Sequence, residues 1–138
     1  MNRLTHAHAD ALGVNLDAYI DNYGVSALLR RKTTEEDLYG DKEEEWIEVN
    51  RLMFLLRLPD QASIVGAAMN VFTEEGLPSG GYFRSRDDVH TGDVVELTYP
   101  VDVNGEICKY FEIVRLLHRY GTIIVYELGT YKGEFDEY

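Results

Sequence analysis

Apolar positions recur at two different spacings along this chain. Near the start, Leu12, Leu16, Tyr19, Ile20 and Tyr23 fall at three- and four-residue intervals, and Gly24 follows as a natural stop. That pattern predicts a short helix, weakened at its start by Gly13, within an N-terminal helical arm over residues 1–24. After Gly24 the segment VSALLRRK reads as a strand running into Arg30, Arg31 and Lys32. From Trp46 to Leu58, WIEVNRLMFLLRL alternates first and then becomes continuously apolar, so it fits either a strand or a helix. A strand entering the core, with a turn at Pro59 and Asp60, is the preferred reading. QASIVGAAMNVFTEEG can form a helix between Ser63 and Gly76, or a short helix followed by a strand.

Beyond Gly76 the period becomes two. Gly76, Pro78, Gly80 and Gly81 predict a loop, YFRSR a short strand, and HTGD a turn before VVELTYPV. Asn104-Gly105 is a strong two-residue hairpin signal, and EICKYFEIVRLLHRY pairs naturally with TIIVYELGTY across Tyr120-Gly121. Nothing between these strands is long enough for a crossover helix, which argues against a parallel sheet. The expected fold is therefore mainly β, a small antiparallel barrel or sandwich. It carries a short N-terminal helix and room for one further helix, and α+β is the alternative. The chain of 138 residues fits a single domain spanning 1–138, with a β-rich half over 81–131.

Charge changes the picture more than composition does. The 13 Lys and Arg against 25 Asp and Glu give a net −12. Such a surface repels phosphate backbones and anionic membranes, so a conventional nucleic-acid module is disfavoured. Residues 35–50 hold one positive and eight negative charges, a net −7, more than half of the total in sixteen residues. A like-charge run ordinarily forms a solvated loop, and an acidic loop is expected over residues 33–45. Its D-L-Y-G-D-K-E lacks the alternating oxygen ligands of a calcium loop.

Candidate chemistry is sparse. His6, His8 and Asp10 form H-x-H-x-D near the start, where the spacing reads as incidental. His90 falls in a turn, His118 on a partly exposed strand, and the single Cys108 reads as a small buried thiol that excludes a disulfide framework. No nucleophile elbow, phosphate loop or metalloprotease motif occurs, so neither catalysis, a cofactor nor a metal is expected. No segment approaches the length of a spanning helix, and none reads as a secretory signal, so a soluble protein made in a cytoplasm is expected. Ten tyrosines, five phenylalanines and Trp46 suit either barrel strands or interfaces.

The order of motifs adds a resemblance. ALLRRKTTEEDLYGDKEEEW, a basic strand, then an acidic D-L-Y-G-D passage and an aromatic, resembles the early part of neck proteins from large contractile-tailed bacteriophages. HTGDVVELTYPVDVNGEICKYFEIVRLLHRYGTIIVYELGTY resembles their closing half, and the tail EFDEY their acidic aromatic ending. The resemblance spans residues 27–138, and 52–80 match only loosely. It implies a structural virion subunit of the neck, made in the host cytoplasm. In a homo-oligomeric ring, a hexamer, it would lie below the portal, meet a portal-proximal connector protein and a tail terminator or tail-completion protein, and help retain and pass DNA without sequence-specific binding. On that reading Glu35, Glu36, Asp37, Tyr39, Asp41, Glu43, Glu44 and Glu45 line or gate the lumen. Arg30, Arg31, Lys32, Trp46, Phe135 and Tyr138 become contact residues between subunits. Alternatives are a tail terminator, adaptor or baseplate component. A reading of another class is a PUA-like barrel that binds RNA or a small ligand through Arg84, Arg86, Arg115 and Arg119.

Overall fold

The computed structural model describes residues 6–36, 38–40, 42–58 and 79–133. One helix, α1 (His6–Tyr23), precedes six strands: β1 (Val25–Glu36), β2 (Lys42–Arg57), β3 (Gly80–Arg84), β4 (Val94–Val103), β5 (Glu106–Tyr120) and β6 (Ile123–Tyr131). They close into an antiparallel barrel in the order β1-β2-β3-β6-β5-β4, with β4 returning to β1. The mainly β fold with an N-terminal helix, expected from the apolar spacing, is present.

Two turns show why the chain reverses where it does. Asn104 and Gly105 both take positive φ, at 52° and 90°, which matches the twist of the β4–β5 hairpin and suits these two residue types. At the helix-to-strand junction the Gly24 N–H donates to the Ile20 carbonyl at 2.9 Å. A Cβ on Gly24 would lie 2.4 Å from that same oxygen, so only glycine permits so abrupt an exit.

Alternation fills the barrel. Ala27 and Leu29 of β1, Leu52 and Phe54 of β2, Phe83 of β3, Val95 and Leu97 of β4, Phe111 and Ile113 of β5, and Ile124, Tyr126 and Leu128 of β6 belong to one buried cluster. Phe54 and Phe83 stack with centroids 4.6 Å apart, and Tyr126 meets Phe83 edge-on at 5.9 Å. The opposite faces of β2, β3 and β6 present Leu55, Tyr82, Ile123 and Val125, which Leu16 and Ile20 of α1 cover together with Tyr120. Every residue of β3 is therefore buried, as are the first four of β6. The unbroken IIVY run is apolar because both of its faces are inside.

An ion pair fixes the helix in place. Arg84, at the end of β3, meets the carboxylates of Asp17 and Asp21, one helical turn apart, and donates to the Asp17 carbonyl at 3.0 Å. Burial works against the Arg84 charge, but these hydrogen bonds more than offset it and hold its pKa above the ordinary value.

The acidic segment departs from expectation. It was expected to be a loop over 33–45, yet residues 33–36 and 42–45 are strand, paired from Thr33↔Glu45 to Glu36↔Lys42. Solvation screens the like charge enough for the strands to pair despite their repulsion. The segment 61–76, assigned a helix or a helix and strand, lies outside the described residues.

Phe83→Ala removes a fully buried ring from the centre of the barrel. The expected loss is about 3–5 kcal/mol of unfolding free energy, read from the denaturant midpoint. Tyr99→Ala, at a side chain 81% exposed, changes it little.

Candidate functional site: a clamped acidic hairpin

β1 stays beside β4 only as far as Arg30↔Val94, and β2 pairs with β3 only at Leu55, Leu56 and Arg57. Past that point residues 31–36 and 42–47 pair with each other alone among the described residues, a two-stranded ribbon standing off the barrel. The β1–β2 register shifts between Leu29 and Arg30, where the ribbon departs, and such an irregularity bends and twists a strand pair. At the tip, Leu38 is fully exposed and Tyr39 is 90% exposed. Gly40 takes φ 81° to turn the chain back.

A lone two-stranded ribbon is marginally stable in water, so its base needs fastening. The basic triplet supplies this. Arg30 reaches across to Glu96 at 3.0 Å and approaches Glu48 at 3.9 Å. Arg31 grips Asp93 with two bonds, Nε to Oδ1 at 3.0 Å and Nη2 to Oδ2 at 2.9 Å, and donates to the Asp88 carbonyl at 2.7 Å. Lys32 pairs with Glu44 at 2.6 Å and sits 5.9 Å from the Trp46 ring, which in turn lies 6.0 Å from Tyr131. Thus Arg30, Arg31, Lys32 and Trp46, singled out in the sequence as contacts between subunits, all have partners within their own chain.

The strongest of these fastenings is the one least visible in the sequence. Asp93, the acid of H-T-G-D, has a side chain only 3% exposed. Besides both bonds from Arg31 it accepts the His90 N–H at 2.8 Å. Its backbone continues the lock: Ile113 N–H donates to the Asp93 carbonyl and Gly92 N–H to the Ile113 carbonyl, each at 2.8 Å. The Tyr126 hydroxyl donates to the Val89 carbonyl at 2.9 Å. The hydrogen bond that Arg31 donates to Asp93, working against desolvation, raises the Arg31 pKa above its usual value. With both carboxylate oxygens occupied, Asp93 acts as an anchor and not as a base. A glycine-aspartate pair directly before a strand was the only local signal for it.

The other candidates scatter. Asp37, Asp41, Phe135 and Tyr138 lie outside the described residues; Glu35, Glu36 and Glu43 are placed on the ribbon by backbone register alone, while Glu44 and Glu45 are exposed. H-x-H-x-D falls in α1, where a spacing of two does not repeat on one face. Among the described residues no three His, Cys, Asp or Glu side chains gather as a metal site. Cys108 is buried, which pushes its thiol pKa up. Of the four arginines offered as a nucleic-acid patch, Arg84 is buried against Asp17 and Asp21, and Arg115 pairs with Glu127 at 3.2 Å.

No protein-family profile and no curated protein matches the chain. The solution structure of a protein from Shigella flexneri 2a is similar in fold, with a TM-score of 0.51 at 13% identity, over 80% of this chain and 93% of that one. That likeness concerns the fold alone. Among the described residues no helix is long and apolar enough to cross a membrane.

Asp93→Ala leaves Arg31 partly buried without its carboxylate. The expected cost is about 3–5 kcal/mol of stability. Amide exchange should rise first across residues 85–93 and the base of the ribbon, before it rises in β3 and β6. Uniform acceleration throughout the barrel would mean that Asp93 is not a local clamp.

Proposed function

We propose that this chain is a structural subunit of a phage neck, assembling as a ring between head and tail through which DNA passes. The observation that carries the reading is the ribbon: a clamped two-stranded projection whose sequence concentrates the acidic charge. Leu38, Tyr39 and Gly40 at its tip fall within the D-L-Y-G-D passage of the sequence, which resembles contractile-phage neck proteins. In a ring such a ribbon faces the lumen, where like charge keeps a polyanion from adhering to the wall. Arg30, Arg31 and Lys32 then serve to hold the ribbon, with their charge neutralised at its base.

A PUA-like nucleic-acid barrel is less well supported, because Arg84 and Arg115 face carboxylates of their own chain. Catalysis has no comparable support. The His90–Asp88 pair, at 2.9 Å, is exposed, and the hydrogen bond from His90 holds the Asp88 pKa low.

Two measurements test the proposal. A reconstruction of the intact particle should place several copies of the chain in one ring at the neck; a chain absent from particles sinks the reading. Particles carrying Glu43→Lys, Glu44→Lys and Glu45→Lys together should eject DNA more slowly, most of all at low ionic strength, where screening extends beyond ~10 Å. Ejection equal to wild type at every salt concentration would argue against a lumenal ribbon.

A further inference from the structure

We infer that the acidic ribbon of one copy docks on the bulged outer stretch of β5, residues 114–119, in a second copy of this chain. The inference rests on the ring reading for its biological setting, but its physical argument comes from the surface itself.

The acceptor is defined by how β5 loses its neighbour. β4 accompanies β5 only as far as Glu112, and the backbone of Ile113 is then engaged by Gly92 and Asp93. From Val114 onward β5 has a pairing partner on one side only among the described residues, namely β6. Two register shifts, between Ile113 and Arg115 and between Leu116 and His118, turn side chains outward. Val114 and Leu116 are 39% and 49% exposed, and Arg115, His118 and Arg119 are exposed beside them. Bulges and cations of this kind discourage indiscriminate strand pairing. They leave a short apolar surface set among positive charges.

The donor has the complementary character. Leu38 and Tyr39 form an exposed apolar tip on a segment of net −7. The basic triplet satisfies only its base: Lys32 pairs with Glu44 and Arg30 approaches Glu48, while Arg30 and Arg31 are otherwise engaged with Glu96 and Asp93. On the β5 stretch Val114 and Leu116 lie beside Arg119, which is exposed, and Arg115, which already pairs with Glu127.

Placement makes a second copy the fitting occupant. In the order β1-β2-β3-β6-β5-β4, the pair β1–β2 and the pair β6–β5 stand on opposite sides of the barrel. Both projections are nevertheless at the same end. Arg31 binds the 85–93 loop, and Ser85 N–H donates to the Thr122 carbonyl in the β5–β6 turn at 2.7 Å. Donor and acceptor on opposite flanks at one level is the arrangement a head-to-tail contact needs, and repetition about an axis along the barrel can close it into a ring.

The test uses the full chain in solution. Sedimentation velocity up to ~1 mM, the range of weak contacts, should reveal self-association at low salt that weakens as salt is added. Arg119→Glu and Glu45→Arg should each weaken it by about tenfold, the scale of losing one charge pair at an interface. The double variant Glu45→Arg with Arg119→Glu should recover it, and Tyr39→Ser should weaken it without restoring charge balance. Both charged positions are exposed, and an unchanged thermal midpoint confirms the fold; Arg119→Gln and Glu45→Gln replace any variant that fails this check. A wild-type chain monomeric throughout, association indifferent to these changes, or no recovery in the double variant would each overturn the contact. None of these outcomes bears on whether the chain occupies the neck, which the particle reconstruction decides separately.

Discussion

The bond between Arg31 and Asp93 is the joint on which the described architecture turns. It links the point where β1 leaves the barrel to the point where the 85–93 loop enters β4, two places 62 residues apart in the chain. A buried ion pair is seldom worth more than a well-packed apolar pair of similar volume. What it provides here is direction: two parallel bonds fix the guanidinium in plane, and the third bond from His90 fixes the carboxylate. With both ends oriented, the ribbon can leave the barrel at only one angle. Arg30 and Lys32 then brace it on either side, with weaker and more exposed pairs.

Barrel closure and helix docking solve a second problem, that of strand edges. A short β3 buried on both faces lets the sheet close while α1 seals its outer surface. Closure removes most edges. Among those that remain in the described residues are the acidic ribbon and the bulged end of β5, together with the β4–β5 hairpin end at the other end of the barrel. The ribbon is guarded by carboxylates and the β5 end by bulges and Arg119, so these two edges carry opposite charge. Both are held to the same end by contacts that pass through the 85–93 loop, which ties their relative placement to the Arg31 joint.

Much of this was legible in the sequence because local chemistry determined it. Gly24 ends the helix, Asn104-Gly105 turns β4 into β5, and the alternation in VVELTYPV and EICKYFEI marks strands with one buried face. The ribbon was not legible as strand, since a run of glutamates hides any period and like charge is normally read as loop. The apolar run of β2 was ambiguous for a different reason: Leu52 and Phe54 face the barrel while Leu55 on its second face is covered by α1, so no alternation survives. The candidate site was legible in outline and misassigned in detail. Arg31 looked like a surface cation because its partner lies beyond any local window, and nothing short of the barrel's register brings Asp93 to it.

The ribbon's charge also bears on its shape. Strands within it are about 4.8 Å apart, well inside a screening length of about 8–10 Å, so its carboxylates act on one another collectively. That repulsion opposes the pairing of β1 with β2; Lys32–Glu44 offers compensation at the base, and the register sets Lys42 opposite Glu36 near the tip. A ribbon built for stability alone would alternate its signs along both strands. Here Arg30, Arg31 and Lys32 gather at the root, and beyond them Lys42 alone stands among the acidic residues. Such polarity weakens the isolated ribbon, and it favours an environment that either supplies cations from outside or exploits the repulsion. Both a neighbouring subunit's arginines and a passing polyanion meet that condition.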